Sequence, residues 1–163
     1  MKIISYNVNG IRAALNKGFA KWLKEANPDV VCLQETKAVS SQVDTSIFEN
    51  LGYQHYWHSA QKKGYSGVAI LTKENVLNIT KGIGIEYIDF EGRVIRADFD
   101  KVSVISLYMP SGTNINRLKY KFKFMEDFNS YIFSIKKEVP NLVIGGDYNI
   151  CHREIDIHDP IRN

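Results

Sequence analysis

Four short apolar runs, far apart in this 163-residue chain, each stop at side chains that carry oxygen. Leu142-Val143-Ile144 leads into Gly145-Gly146-Asp147-Tyr148-Asn149, and Val30-Val31-Cys32-Leu33-Gln34 ends at Glu35. Ile3-Ile4-Ser5-Tyr6 delivers Asn7 and Asn9, while Val102-Ser103-Val104-Ile105-Ser106-Leu107 delivers Tyr108 ahead of Met109-Pro110-Ser111-Gly112. Runs of this length and composition read as buried strands. In open sheets, sites collect where strands finish, because loops can converge there without disturbing the packed layers beneath. The pattern therefore constrains the fold class to α/β and points to one end of the sheet as the place for chemistry.

The segments between these runs fill in the layers. Phe19, Trp22, Leu23 and Ala26 recur at helical spacing, and Asn27-Pro28-Asp29 stops the pattern. Tyr53 to Ser59 and Gly67 to Thr72 read as strands joined through the polar loop Gln61-Lys62-Lys63-Gly64-Tyr65-Ser66. Val76 to Thr80, Val94 to Phe99 and Val102 to Leu107 read as further strands, separated by turn chemistry at Glu91-Gly92 and Asp100-Lys101. Neighbours so close in sequence pair antiparallel. From Asn116 to about Val139, the positions Leu118, Phe122, Met125, Phe128, Ile132, Ile135 and Val139 fall on one face of a long amphipathic helix. Lys119, Lys121 and Lys123 scatter around its axis and read as solvated.

Bulk properties narrow the function classes. A chain of 163 residues with 44% hydrophobic content supports one packed core rather than two. A formal charge of +3 permits a polyanionic partner without establishing one. Only two cysteines occur, Cys32 and Cys151, which argues against a disulfide framework and fits a reducing compartment. No apolar run approaches the ~20 residues of a membrane span. The amino end enters a strand directly, without a secretory hydrophobic region, so a cytoplasmic location is expected.

Carboxylate and amide oxygens suit hard divalent cations, and Mg²⁺ is usually held by one or two carboxylates together with phosphate oxygens and water. Glu35, Asp147, Asn7 and Asn149 match that preference, with Tyr108 as a donor to a phosphate oxygen. Together they have the make-up of a metal-dependent phosphodiesterase. Taken singly, a strand-end Asp, Glu or Asn more often satisfies turn backbone groups; four coinciding strand ends weigh against that explanation. Arg12, Lys37, Lys62 and Lys63 fall in expected loops or turns beside the site and suit phosphate contacts. The histidines are less informative. His55 and His58 face opposite sides of a strand-like stretch, and Cys151, His152 and His158 match no zinc spacing.

Read together, Ser5-Tyr6-Asn7-Val8-Asn9-Gly10-Ile11-Arg12, Leu33-Gln34-Glu35-Thr36-Lys37, Gly64-Tyr65-Ser66-Gly67-Val68-Ala69, Tyr108-Met109-Pro110-Ser111-Gly112 and Gly146-Asp147-Tyr148-Asn149 resemble exodeoxyribonuclease III. This is the apurinic/apyrimidinic endonuclease branch of the endonuclease/exonuclease/phosphatase superfamily. The resemblance implies a four-layer α/β sandwich of two packed mixed sheets flanked by helices. Residues 1–163 would form a single incomplete domain of that type, roughly its amino-terminal two thirds, with the carboxy-terminal part missing.

It further implies Glu35 as the principal metal carboxylate with Asn7 beside it, and Asp147 and Asn149 completing the metal set. Asp147 would prepare the attacking water, Asn149 would hold that water or the scissile phosphate, and Tyr108 would stabilise developing charge. The implied cofactor is Mg²⁺, with Mn²⁺ as a substitute. Arg12, Lys37, Tyr65 and Ser111 would touch the DNA backbone. The implied activity is hydrolysis of the phosphodiester 5′ to abasic sites in double-stranded DNA, with 3′-5′ exonuclease or 3′-phosphodiesterase action at 3′ ends, by a full-length monomer without a membrane partner. The family's late Ser-Asp-His motif, late aspartate and tryptophan have no counterpart in these residues. The alternative expectation is thus an inactive DNA-binding or partner-dependent fragment. Sphingomyelinases, inositol-phosphate phosphatases and general deoxyribonucleases share the Glu and Asp-x-Asn positions, but Asn-Gly-Ile-Arg and Gln-Glu-Thr-Lys favour the repair branch.

Overall fold

All five residues of Val30–Gln34 are buried, as are all five of Val68–Thr72. Strands of this kind are covered on both faces, and the architecture supplies the cover. The structure, a computed structural model, describes residues 1–157 and 159; His158 lies outside the described residues. In chain order the elements are β1 (Ile3–Asn7), α1 (Ile11–Asn16), α2 (Phe19–Ala26), β2 (Val30–Gln34), α3 (Ser46–Glu49), β3 (Gln54–His58), β4 (Val68–Thr72), β5 (Asn78–Lys81), α4 (Glu86–Asp89), β6 (Val94–Asp98), β7 (Ser103–Tyr108), α5 (Ile115–Ile135) and β8 (Leu142–Asp147).

Two four-stranded sheets form, in the orders β1-β2-β4-β3 and β5-β6-β7-β8. Each is mixed. β1 and β2 run parallel across the α1–α2 crossover, and β7 and β8 run parallel across α5, while the remaining pairs are antiparallel. Three apolar clusters correspond to the three interfaces between four layers. Ile11, Phe19, Leu23 and Phe48 pack against Val31, Leu33 and Leu71 on the outer face of the first sheet. Val30, Cys32, Val68 and Ile70 meet Ile95, Ala97 and Val104 between the sheets. Ile88, Phe124, Phe128 and Ile135 cover Val94, Ile105 and Leu107 on the far side. Alternate residues of β2 thus serve different interfaces, which is why its sequence is apolar without interruption.

At the inter-sheet face the sheets approach closely around glycine. A Cβ placed on Gly145 would stand 3.3 Å from the Cys32 sulfur of the other sheet; within its own sheet, one on Gly146 would overlap the carbonyl oxygen of Leu107 on the neighbouring strand. A small polar bridge fixes the register of the two sheets: Gln34 Nε2 donates to Ser106 Oγ at 3.1 Å, and Ser106 Oγ donates to the Leu33 carbonyl at 3.0 Å. Burial pushes the Cys32 thiol up to about 12, so this group packs as a small apolar side chain. Cys32 and Cys151 are both free.

Two sequence expectations need correction. Residues 11–16 form a helix rather than a loop, because Ile11 is fully buried and Ala13, Ala14 and Leu15 are good helix formers; Arg12 therefore stands on α1. The buried face of α5 keeps Phe128 and Ile135, with Met125 and Ile132 at its edge, as expected, but its amino-terminal half is turned from the expected one. The face carries Lys121, Phe124, Phe128 and Ile135, while Leu118 and Phe122 are exposed. Lys121, expected in solvent, is 8% exposed. The helix is aromatic on several sides, so periodicity left its rotation ambiguous. Among the described residues no helix is long and apolar enough to cross a membrane.

Candidate functional site

The parallel pairings place Asn7 beside Gln34 at the ends of β1 and β2, and Tyr108 beside Asp147 at the ends of β7 and β8. Because β1 and β2 pack against β8 and β7, all four ends meet at one edge of the sandwich. The loops beyond are zipped by backbone hydrogen bonds from Gly10 to Glu35 (2.7 Å), Ile11 to Thr36 (3.0 Å), Thr36 to Gly67 (3.1 Å) and Lys37 to Ser66 (2.9 Å).

These loops are also where the backbone is strained. Asn9, Glu35, Lys37, Ser66 and Asn149 have φ between 45° and 53°, and the one other such non-glycine residue among those described, Asn27, caps α2. A left-handed conformation costs a non-glycine residue about 1–2 kcal/mol, and its concentration at one edge means the surrounding hydrogen bonds over-determine the loops. Strain of this kind gathers where side chains must be aimed.

Asn7 is the hub. Its Nδ2 donates to Glu35 Oε1 at 3.0 Å and to Asp147 Oδ2 at 2.7 Å, while its Oδ1 accepts from the Asn9 backbone at 3.0 Å. Lys37 Nζ pairs with Glu35 Oε2 at 2.8 Å. The Tyr108 hydroxyl and the Glu35 carboxylate lie near enough for each to act on the other's proton affinity. Burial works against the charge on Glu35 more than any other single influence, yet the hydrogen bonds from Asn7 and Lys37, the nearby Tyr108 hydroxyl and the Lys37 charge hold its carboxyl below the usual value. Burial, followed by the nearby Glu35 carboxylate, raises the Tyr108 hydroxyl above the ordinary tyrosine value, so it remains a protonated donor.

Asp147 Oδ1 accepts from the Asn149 backbone at 2.9 Å, and Asn149 Nδ2 donates to the Met109 carbonyl at 2.8 Å. Lys121 Nζ reaches from α5 to the Asn149 carbonyl, tying this turn to the helix. The structure thus brings Asn7, Glu35, Tyr108, Asp147 and Asn149 into one cluster. Arg12 and Lys37 line a cavity of about 420 Å³ with Gly10, Asn16, Thr36 and Gly64. Tyr65 is turned inward, its hydroxyl accepting from Arg93 at 2.9 Å and from Arg117 at 3.2 Å. Ser111 is half-buried in the loop between β7 and α5.

Sequence reasoning missed Arg93 and Lys121. Arg93 had only a neighbouring Glu91-Gly92 turn to mark it. Lys121 sits three residues before Phe124 and seven before Phe128, a helical spacing that places all three on one face. His55 and His58 make structural bonds, to Glu49 and to the Val94 carbonyl, and among the described residues no cluster of three or more His, Cys, Asp or Glu forms.

Comparison with known proteins agrees with this architecture. The chain is 42% identical over 165 residues to the exodeoxyribonuclease of Bacillus subtilis (strain 168), covering 100% of this chain and 64% of that protein. An AP endonuclease structure from Archaeoglobus fulgidus superposes with a TM-score of 0.85 at 34% identity, covering 99% of this chain and 62% of the other. A variant of the 3′ phosphatase NExo from Neisseria, solved with a product DNA hairpin, superposes with a TM-score of 0.87 at 27% identity, covering 99% and 63%. The chain thus spans somewhat less than two thirds of each of these relatives. It is homologous to DNA-repair nucleases of the exodeoxyribonuclease and AP endonuclease type. With residues 4–163 matching throughout, this chain belongs to the Endonuclease/Exonuclease/phosphatase family.

Proposed function

We propose that the full-length protein is a divalent-metal-dependent DNA-repair nuclease that hydrolyses the phosphodiester 5′ to an abasic site, with further action at 3′ ends. The observation that carries this reading is the joining of Glu35 and Asp147 by one amide, Asn7 Nδ2, at 3.0 and 2.7 Å. Two carboxylates converging on one donor present hard oxygens to a shared point, which fits Mg²⁺ or Mn²⁺. Glu35 would hold the ion, with Asp147 and Asn149 at its margin, and Asn7 would join through Oδ1 once its amide turns, because Nδ2 faces the carboxylates here. When bound, the ion neutralises charge on the phosphate and polarises it toward attack.

This chain's own residues account for the rest. Asp147 accepts the proton of a water aligned by Asn149 as that water forms a bond to phosphorus. The bond from phosphorus to the 3′ oxygen then breaks, and that oxygen takes a proton from solvent, leaving a 3′ hydroxyl and a 5′ phosphate. Tyr108, held protonated, donates to a phosphate oxygen whose charge grows in the transition state. Arg12, Lys37, Tyr65 and Ser111 contact the backbone of the duplex and fix its register. The same reading takes residues 1–163 as part of a single domain.

The test is Mg²⁺-dependent incision of a duplex with one abasic site by the full-length protein. Asp147→Asn should lower kcat by roughly 10²- to 10⁴-fold, the range for loss of a positioned base. Full activity in that variant would overturn the assignment.

A second reading applies to residues 1–163 by themselves. The chain spans 64% and 62% of two relatives, and an open apolar groove of about 470 Å³, lined by Met109, Met125, Phe128, Ile132 and Ile144, lies between α5 and β8. By itself the segment should bind duplex DNA and cut it negligibly. Mg²⁺-dependent incision by the 163-residue chain, abolished by Asp147→Ala, would contradict this.

A further inference from the structure

Arg93 is 2% exposed, yet it is an arginine just before β6, beneath the site. A buried guanidinium is retained only where every arm is paired, and here each is. Nε donates to Glu91 Oε2 at 2.5 Å, Nη2 to the Tyr65 hydroxyl at 2.9 Å, and Nη1 to the Tyr108 carbonyl at 3.1 Å. The guanidinium carbon also lies 4.7 Å from the centre of the Tyr108 ring, and the Tyr108 backbone N–H donates to the Arg93 carbonyl at 2.8 Å. Arg93 therefore touches Tyr108 at its carbonyl, its N–H and its ring, while the far end of that ring points its hydroxyl toward Glu35.

We propose that Arg93 is a positioning residue for Tyr108. It holds the tyrosine ring so that the hydroxyl meets Glu35, and it links that ring to Tyr65 and, through Tyr65 and Glu91, to Arg117. The functional weight of this role rests on the reading of Tyr108 as the phosphate donor. Arg117 reinforces the link, donating from Nη2 to the Tyr65 hydroxyl at 3.2 Å and pairing through Nη1 with Glu91 at 3.6 Å. A backbone strand engaging Tyr65 would thus act on the group that sets the Tyr108 ring. Lysine cannot take the place of Arg93, because a point-like ammonium lacks the planar fork that serves three acceptors while stacking on a ring.

The test reads Tyr108 directly in the 163-residue chain labelled with ¹³Cζ-tyrosine, its resonance assigned through Tyr108→Phe. Glu35→Gln first marks the resonance position that reports a weakened hydroxyl contact. Of the nine tyrosines, Arg93→Lys should shift Tyr108 and Tyr65, and Tyr120 beside the same Glu91, while the other six hold their positions. In the Arg93→Lys/Glu35→Gln double variant the Tyr108 shift should fall short of the sum of the two single shifts. Should Arg93→Lys fail to fold, Glu91→Gln loosens one arm of the guanidinium and the same shifts are expected. A folded variant whose Tyr108 resonance stays in place, or a shift spread over all tyrosines, overturns the proposal. This readout is independent of incision, so a protein that cuts no DNA would refute the nuclease reading and leave the positioning role to be decided by the Tyr108 resonance.

Discussion

At the scale of single residues, the contrast between Asn7 and Gly146 shows two ways in which a position is fixed. Asn7 is fixed by what it bonds, two carboxylates and the Asn9 backbone. Gly146 is fixed by what cannot fit. A methyl group there would overlap the Leu107 carbonyl, so Gly146→Ala should push β8 off β7 and cost roughly 1–3 kcal/mol, the usual toll of overpacking. Urea unfolding would measure it, and an unchanged midpoint would show that β8 slides without penalty. The acids and amides of the site were legible in the sequence because each ends an apolar run. Arg93 was not, since a lone arginine after a turn gives no periodic signal and its partners Glu91, Tyr65 and Tyr108 converge only in the fold.

At the scale of elements, the strands were readable nearly to their ends and the amino-terminal half of the long helix was not readable in rotation. Strand limits follow from branched residues bounded by turns, a local signal. The rotation of α5 depends on which of several aromatic stripes meets the sheet, a tertiary choice. Unfolding measurements separate the two stripes. Phe124→Ala, fully buried although off the expected face, should cost about 3–5 kcal/mol, as for a buried aromatic, whereas Phe122→Ala on the exposed side should change stability by less than about 1 kcal/mol. Comparable losses would return the helix to the sequence-based rotation.

Between β6 and β7, Asp98 accepts from Ser103 at 2.6 Å and from Asn78 at 3.0 Å, and pairs with Arg96 at 2.9 Å. Burial opposes its charge most, but these partners hold its carboxyl below the ordinary 3.8. The unfolded chain then binds the proton more tightly than the folded one, so the stabilisation is complete above 3.8 and fades as pH falls through the lower folded value. Asp98→Asn should therefore be less stable than the parent at neutral pH, with the gap narrowing in acid. A constant gap across that window would contradict the assignment.

At the scale of the whole molecule, two βαβ crossovers, one in each sheet, bring four strand ends to one edge, and the segments that follow β1, β2 and β3 in sequence carry Arg12 on α1 and Lys37, Lys62 and Lys63 in loops. If the backbone of duplex DNA is read there, affinity should drop steeply between about 50 and 200 mM salt, and Arg12→Ala should flatten the dependence. Binding indifferent to salt would argue for a partner other than a polyanion. The α/β class was legible because apolar runs report buried strands wherever they occur, whereas the four-layer arrangement followed only from the family resemblance. The meeting of the site was legible only as a coincidence of strand ends, because no local pattern records which ends share an edge.

Asn7 and Asp147, joined by a single hydrogen bond, stand 140 residues apart in the chain. Chains emerge from the ribosome amino end first, so Asp147 is made long after Asn7 and Glu35. An unfinished polypeptide therefore holds Glu35, Asn7 and the loops around them with nothing opposite, and whatever cutting power the site has cannot arise before synthesis has passed β8.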